Sequence, residues 1–274
     1  MRALFMAAAL ALVAFGGAGA VAGHAAHGIP TTVPPGRCPP PPPGRPPEHR
    51  LTRPTWLADV VVTEYYPAPE KWFRGALVAA PGLEGKHRVD WLYSSSGVAM
   101  EGDGVGLDGR RYHFAGPYGT GWVTSGGADT LPCPDGSWTR GWPAWLSFGW
   151  RTKGGAVTFP LAAGGWSAGA PARYLAPPSD LRFAPAPSRP LRYWRSVAVD
   201  PDLIPLGSRV FVRAYCRTPG AGWFLAQDTG GAIIARHLDV YRPAPASPDD
   251  GRMLRGQRVF VIPPGTRPAR LPRC

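Results

Sequence analysis

The 274-residue chain is short of lysine, cysteine, acidic side chains and long apolar runs, and each shortage removes a class of function. Only Lys71, Lys86 and Lys153 are lysines among the 30 basic residues, and the arginines that make up the rest are scattered. The net charge of +12 and the isoelectric point near 10.1 therefore lack the clustered basic face of a nucleic-acid binder. An exported protein of this charge is drawn instead to anionic envelope polymers, whose carboxylates arginine pairs with well. Four cysteines (Cys38, Cys133, Cys216 and Cys274), with no Cys-x-x-Cys pair, argue against a zinc or iron–sulfur centre and for disulfides, with three pairings open. No window after the first twenty residues is apolar enough for a membrane helix. Neither a Ser/His/Asp order nor a phosphate-binding loop is present, and neither a cofactor nor a metal is expected.

What is present begins with Arg2, an apolar run from Ala3 to Phe15 and the small residues Ala18, Gly19 and Ala20, the pattern of a signal peptide. Residues 1–23 are read as that signal, with cleavage between about 20 and 26 and delivery to the periplasm. Residues 24–50, with an unbroken run from Pro39 to Pro43, read as an extended linker. From Leu51 onward, short β-branched and aromatic runs are cut by glycine and proline, with almost no helical period, which predicts an all-β protein. Strands are expected at Ala58–Tyr66, Arg209–Ala214, Trp223–Asp228, Arg236–Tyr241 and Gln257–Ile262. In RHLDVY, alternation places His237, Asp239 and Tyr241 on the face opposite Leu238 and Val240. Between 103 and 190 the chain is rich in glycine and holds Trp122, Trp138, Trp142, Trp145, Trp150 and Trp166, a second β region whose rings mostly fill a core while some offer stacking faces for sugars.

Three segments follow in order: VAVDPDLIPLGSRVFV, FLAQDTGGAI and RHLDVY. They resemble the 3D domain, a family named for three aspartates and related to the barrel of the MltA-type lytic transglycosylases. The resemblance sets the three at Asp200, Asp228 and Asp239, with an eleven-residue step between the last two, and covers about seventy residues from Tyr193 to Val261. VTEYYPAPEKWF and GVAMEGDG extend it back to about Thr55. It implies a double-psi β-barrel, here about 51–102 and 191–265 with 103–190 inserted, and peptidoglycan glycan strands as the partner. The implied reaction cleaves the bond between N-acetylmuramic acid and N-acetylglucosamine without added water and leaves a 1,6-anhydro sugar.

In that reaction one carboxyl serves both half-steps, protonating the bridging oxygen and then accepting the proton of the sugar's own C6 hydroxyl. The pattern assigns it to Asp239, with Asp228 as a neighbouring charge that helps hold the proton on it. Asp200, before Pro201, reads as a supporting turn residue. Thr229, Gly230, Gly231, Tyr66 and Tyr241 are the expected sugar contacts, the glycines permitting positive φ and close approach. Glu64 and Tyr65 join Tyr66 on an early strand, and Glu101 and Asp103 are the best candidates for a second carboxylate, which would favour a hydrolase. Many relatives read GAIKG where this chain has GAIIA, so Ile234 and Ala235 replace a lysine and a glycine. The missing cation keeps open a binding-only cell-wall protein.

Overall fold

In a computed structural model, the described residues are 36–40, 48–94, 96–116, 122–124, 128–141, 143, 145–146, 159–160, 166–167, 181–247 and 250–274. The expected signal segment and most of the linker lie outside them. Six strands close into a barrel: β1 (Thr55–Tyr65), β6 (Ser196–Ala198), β7 (Arg209–Val212), β8 (Trp223–Asp228), β9 (His237–Tyr241) and β10 (Leu254–Ile262). Their order around the wall is β1-β9-β6-β8-β7-β10, returning to β1. The β1/β9 and β6/β8 pairs are parallel, and the other four are antiparallel.

The expected strands all lie in this barrel. Ser196–Ala198 was not expected as a strand; three residues long, it carries too little pattern to announce itself. Val60, Val62, Val197, Val210, Leu238, Val240, Val259 and Val261 point inward and fill the barrel. In β1 the inward residues Leu57 and Val60 are three apart, which strict alternation forbids. A bulge between them, with Asp59 at φ 53°, absorbs the extra residue, and a second register shift against β10 follows between Val60 and Val62.

The chain leaves the barrel at Tyr65, and the strands between 68 and 185 pair only among themselves. Strands β2 (Ala68–Pro69), β3 (Asp103–Val105), β4 (Arg111–Gly116) and β5 (Arg182–Pro185) form one sheet in the order β5-β4-β3-β2. Two short helices, α1 (Val89–Tyr93) and α2 (Val98–Glu101), pack on it around Trp91, Leu92, Phe114, Leu181 and Phe183, a core separate from the barrel's. The departure from the barrel expected near residue 102 thus comes at Tyr65, because Phe73, Trp91 and Val98 belong to this second core. Buried Glu70 stitches the core's edge, accepting from Arg88 N at 2.7 Å and Leu107 N at 2.9 Å and contacting His87 Nδ1 at 3.0 Å. Among the tryptophans of the Gly-rich stretch, Trp122 and Trp138 are half-buried and meet edge to face at 5.7 Å. The side chains of Trp142, Trp145, Trp150 and Trp166 lie outside the described set.

Cysteines pair as Cys38–Cys133 and Cys216–Cys274. The first ties the Pro-rich stretch to the inserted region, and Glu48 continues the attachment with an ion pair to Arg236 at 2.5 Å. The second closes a span of 58 residues containing β8, β9 and β10. Closure of a loop that long restricts the unfolded chain strongly. Replacing Cys216 and Cys274 together by serine is expected to lower unfolding free energy by roughly 2–4 kcal/mol, read by chemical denaturation under non-reducing conditions; a change below about 1 kcal/mol would contradict the pairing's structural role.

Candidate active site

Strand β9 is buried along its whole length although only Leu238 and Val240 enter the barrel. The outward His237, Asp239 and Tyr241 are 4%, 3% and 1% exposed, so this patch of barrel wall is covered. Register places Thr63 of β1 opposite Asp239, Asp239 opposite Ala198 of β6, and Ala198 opposite Asp228 of β8. Thr63, Asp239, Ala198 and Asp228 thus form one row across four strands, the two aspartates flanking an alanine too small to fill the space between them. At ordinary strand spacing their Cα atoms stand about 10 Å apart.

Asp239 Oδ1 lies within hydrogen-bond distance of Thr63 Oγ1 at 2.7 Å, and the same hydroxyl lies 2.9 Å from His237 Nε2. Burial pushes the Asp239 carboxyl well above its ordinary value; the Thr63 contact opposes this, while the charges of Glu101, Asp228 and Glu64 add to it. Of those charges Glu101, at the end of α2, weighs most. His237 is shifted the other way, down to about 4, again chiefly by burial. Its ring is neutral at pH 7.

Asp228 sits in a different setting. Its carboxylate accepts from Tyr65 O–H at 2.6 Å and from Thr229 N at 2.9 Å, and pairs with Arg189 at 2.9 Å. Burial, and then the negative charge of Asp228, push the Tyr65 hydroxyl well above the usual phenol range. Arg189 is delivered by its neighbour Ser188, whose N–H and O–H both donate to Asp103 at 2.9 Å. A cation therefore does stand at this site, although Ile234 does not supply it. Asp103 is a clamp for that segment and not a second acid beside Asp239.

Asp200 immediately precedes the turn that begins at Pro201. It accepts from Asp202 N at 2.9 Å and from Ala235 N at 2.6 Å, pinning the loop that joins β8 to β9. Ala235 adopts φ 51°, which explains why glycine suits that position and why alanine there is strained. Thr229 is half-buried, and Gly230 and Gly231 are exposed. Neither glycine takes positive φ; a Cβ on Gly230 would strike Ile233 at 2.8 Å, and one on Gly231 would crowd the Trp122 ring at 3.3 Å. Close approach, not turn geometry, is what requires them.

Tyr241 is packed between Tyr65 at 5.0 Å and Tyr193 at 4.9 Å, with the Arg111 guanidinium 6.0 Å from its ring centre. Tyr66 lies past the end of β1 and packs edge to face on Trp72. Glu64 points to the opposite face of β1 from Thr63, where it is buried and bound by Tyr215 O–H at 2.9 Å and by Arg242. It lines a separate cavity of about 410 Å³ with Trp194, Tyr215 and Arg252. Thr63 and Arg189 were not among the expected site residues, whereas Tyr65 was expected beside Glu64 and Tyr66 on the early strand. Alternation in β1 marks Thr63 and Tyr65 as sharing one face, whereas nothing in sequence brings Arg189 to Asp228.

With this row established, comparison with known proteins is decisive for one segment. Residues 195–263 match the 3D domain. That stretch contains all three aspartates and five of the six barrel strands. The cell wall-binding protein YocH of Bacillus subtilis (strain 168) is 48% identical over 48 residues, 18% of this chain and 15% of its own length. The putative cell wall shaping protein YabE of the same organism is 45% identical over 51 residues, 19% of this chain and 11% of its own. The chain thus spans a small part of these relatives. A variant of the E. coli lytic transglycosylase MltA, in an apo-2 form, aligns over 74% of this chain and 71% of its own at 16% identity, with a TM-score of 0.29.

The raised Asp239 carboxyl has a consequence for stability. Well below pH 3.8, folded and unfolded chains both hold this proton; as pH rises through 3.8 the unfolded chain releases the proton while the folded chain keeps it, so stability falls as pH rises toward the folded value. Asp239→Asn is expected to melt higher than the parent at pH 7, the gap closing by about pH 3.5. A gap independent of pH would contradict the protonated assignment. Ala235→Gly should stabilise the fold by about 1 kcal/mol by relieving the positive φ, measured by denaturant titration, and a loss of stability would show that the strain is absent.

Proposed function

We propose that the protein is an exported cell-wall enzyme, a lytic transglycosylase that cleaves peptidoglycan glycan strands between N-acetylmuramic acid and N-acetylglucosamine with Asp239 as its acid and base, on a barrel of the double-psi type. The observation that carries the reading is a carboxyl that burial and surrounding negative charge keep protonated on the outward face of a barrel strand. Such a group gives its proton to the bridging oxygen as the bond breaks, and its carboxylate then takes the C6 hydroxyl proton as that oxygen attacks C1. Asp228, held by Tyr65, Thr229 and Arg189, contributes fixed negative charge, and Thr229 with the exposed Gly230 and Gly231 forms the adjoining rim for a sugar. The aromatic group of Tyr65, Tyr193 and Tyr241 offers stacking surface beside it. At 3% exposure, Asp239 meets a sugar only after part of its cover moves, so binding and opening are one event.

Two rivals have support of their own. Glu101 is the charge that weighs most on Asp239, and a water activated there would make the protein a muramidase. The relatives' names speak of binding and shaping the wall, which a catalytically silent groove would serve. Incubating the protein with purified peptidoglycan and analysing soluble fragments by mass spectrometry separates them. Anhydro ends are expected, with Asp239→Asn slowing release by roughly 10²–10⁴-fold; reducing ends would favour the muramidase, and retention without fragments the silent module.

A further inference from the structure

Two short contacts converge on the Thr63 hydroxyl: Asp239 Oδ1 at 2.7 Å and His237 Nε2 at 2.9 Å. Each contact needs a proton between its atoms, and the hydroxyl carries one. Its other reachable acceptor, the Leu238 carbonyl, is at 3.4 Å. The second proton must come from Asp239 or from His237. The far side of the imidazole decides between them, because Nδ1 lies 3.3 Å from the Ala232 carbonyl, which can only accept. A neutral ring therefore carries its proton on Nδ1 and presents a bare Nε2 to Thr63. All three groups are buried, at 0%, 4% and 3% exposure for Thr63, His237 and Asp239, so bulk solvent does not reach them.

We infer that His237 is a positioning residue: acting through Thr63, it fixes the acidic proton on Asp239, in a chain running from the Asp239 carboxyl to Thr63, from Thr63 to His237 and from His237 to the Ala232 carbonyl. The alternative places the proton on Nε2 and buries an imidazolium beside a carboxylate. Burial, which drives His237 toward neutrality, and the Arg255 charge facing it from β10 both oppose that state. Around Asp239, the charges of Glu101 from α2, Asp228 from β8 and Glu64 from β1 favour the neutral carboxyl, and Tyr65 adds no positive charge. When Asp239 gives up its proton, the Thr63 hydroxyl turns to the carboxylate and Nε2 loses its donor. The chain thus resists ionisation and favours return of a proton to Asp239, the two properties a single acid/base needs. This role rests on the proposed use of Asp239 in glycan cleavage, but the proton arrangement is measurable without it.

The test is the titration of Asp239 in the full chain, followed by carbon-13 NMR of labelled aspartate carboxyls and assigned with Asp239→Asn. His237→Leu should lower the midpoint by about one pH unit or more, since the Thr63 proton is then free to serve the carboxylate. His237→Gln, whose carbonyl accepts and whose NH₂ donates as the neutral ring does, should keep the midpoint close to the parent's. In a Thr63→Val background, His237→Leu should have no effect, because the connection is gone. A midpoint unmoved by His237→Leu, or moved equally with and without Thr63, would overturn the relay, and so would failure of glutamine to preserve it. Loss of glycan cleavage by the parent, with the midpoints still following this cycle, would overturn the function proposed above and leave the relay standing.

Discussion

A carboxyl removed from water on the outer wall of a closed barrel is the constraint around which this molecule is organised. Inside the barrel, valine and leucine side chains need no partners. Outside, a strand face carrying His237, Asp239 and Tyr241 would ordinarily be solvated, and Asp239 would ionise near its ordinary value. Covering that face costs desolvation of every polar group on it, which is tolerable only if each finds a partner or stays neutral. Thr63 supplies the partner, and retained protons supply the neutrality.

The excursion between β1 and β6 is what makes the covering possible. Its described residues have a core of their own around Trp91. From it come Glu101, whose charge bears on Asp239, and Asp103, whose grip on Ser188 sets Arg189 against Asp228. The two aspartates of the row thereby sit in different settings. Asp228 gathers donors and a cation, while Asp239 gathers negative neighbours and a dry setting.

Much of the barrel was legible in the sequence because its strands are long enough to display a period of two. The face of Asp239, and its opposition to Leu238 and Val240, followed from RHLDVY alone. The turn after Asp200 was legible from the proline that begins it, although the hold of Asp200 on Ala235 was not. Sequence pattern failed where contacts are distant in the chain and carry no periodic mark. Arg189 reaches Asp228 through Asp103, which is 85 residues from Ser188. Tyr66 was favoured over Tyr65 as a sugar contact, yet the end of β1 turns Tyr66 onto Trp72 while Tyr65 shares the Thr63 face. Glu64, on a strand with an aspartate partner opposite its neighbour, proved to serve the other side of the wall with Tyr215 and Arg242. The two helices, five and four residues long, are below the length at which a helical period can be read.

The central claim is that a glycan's bridging oxygen is brought to the Asp239 carboxyl and that no water is held opposite it. A crystal structure of the full chain carrying Asp239→Asn, soaked with a defined peptidoglycan tetrasaccharide, tests this most directly. The account predicts the bridging oxygen within hydrogen-bond distance of the side chain at position 239, with the C6 hydroxyl of the same muramic acid folded toward its own C1. A glycan seated away from the Asp239–Asp228 row, or an ordered water held by Glu101 on the far face of C1, would contradict it.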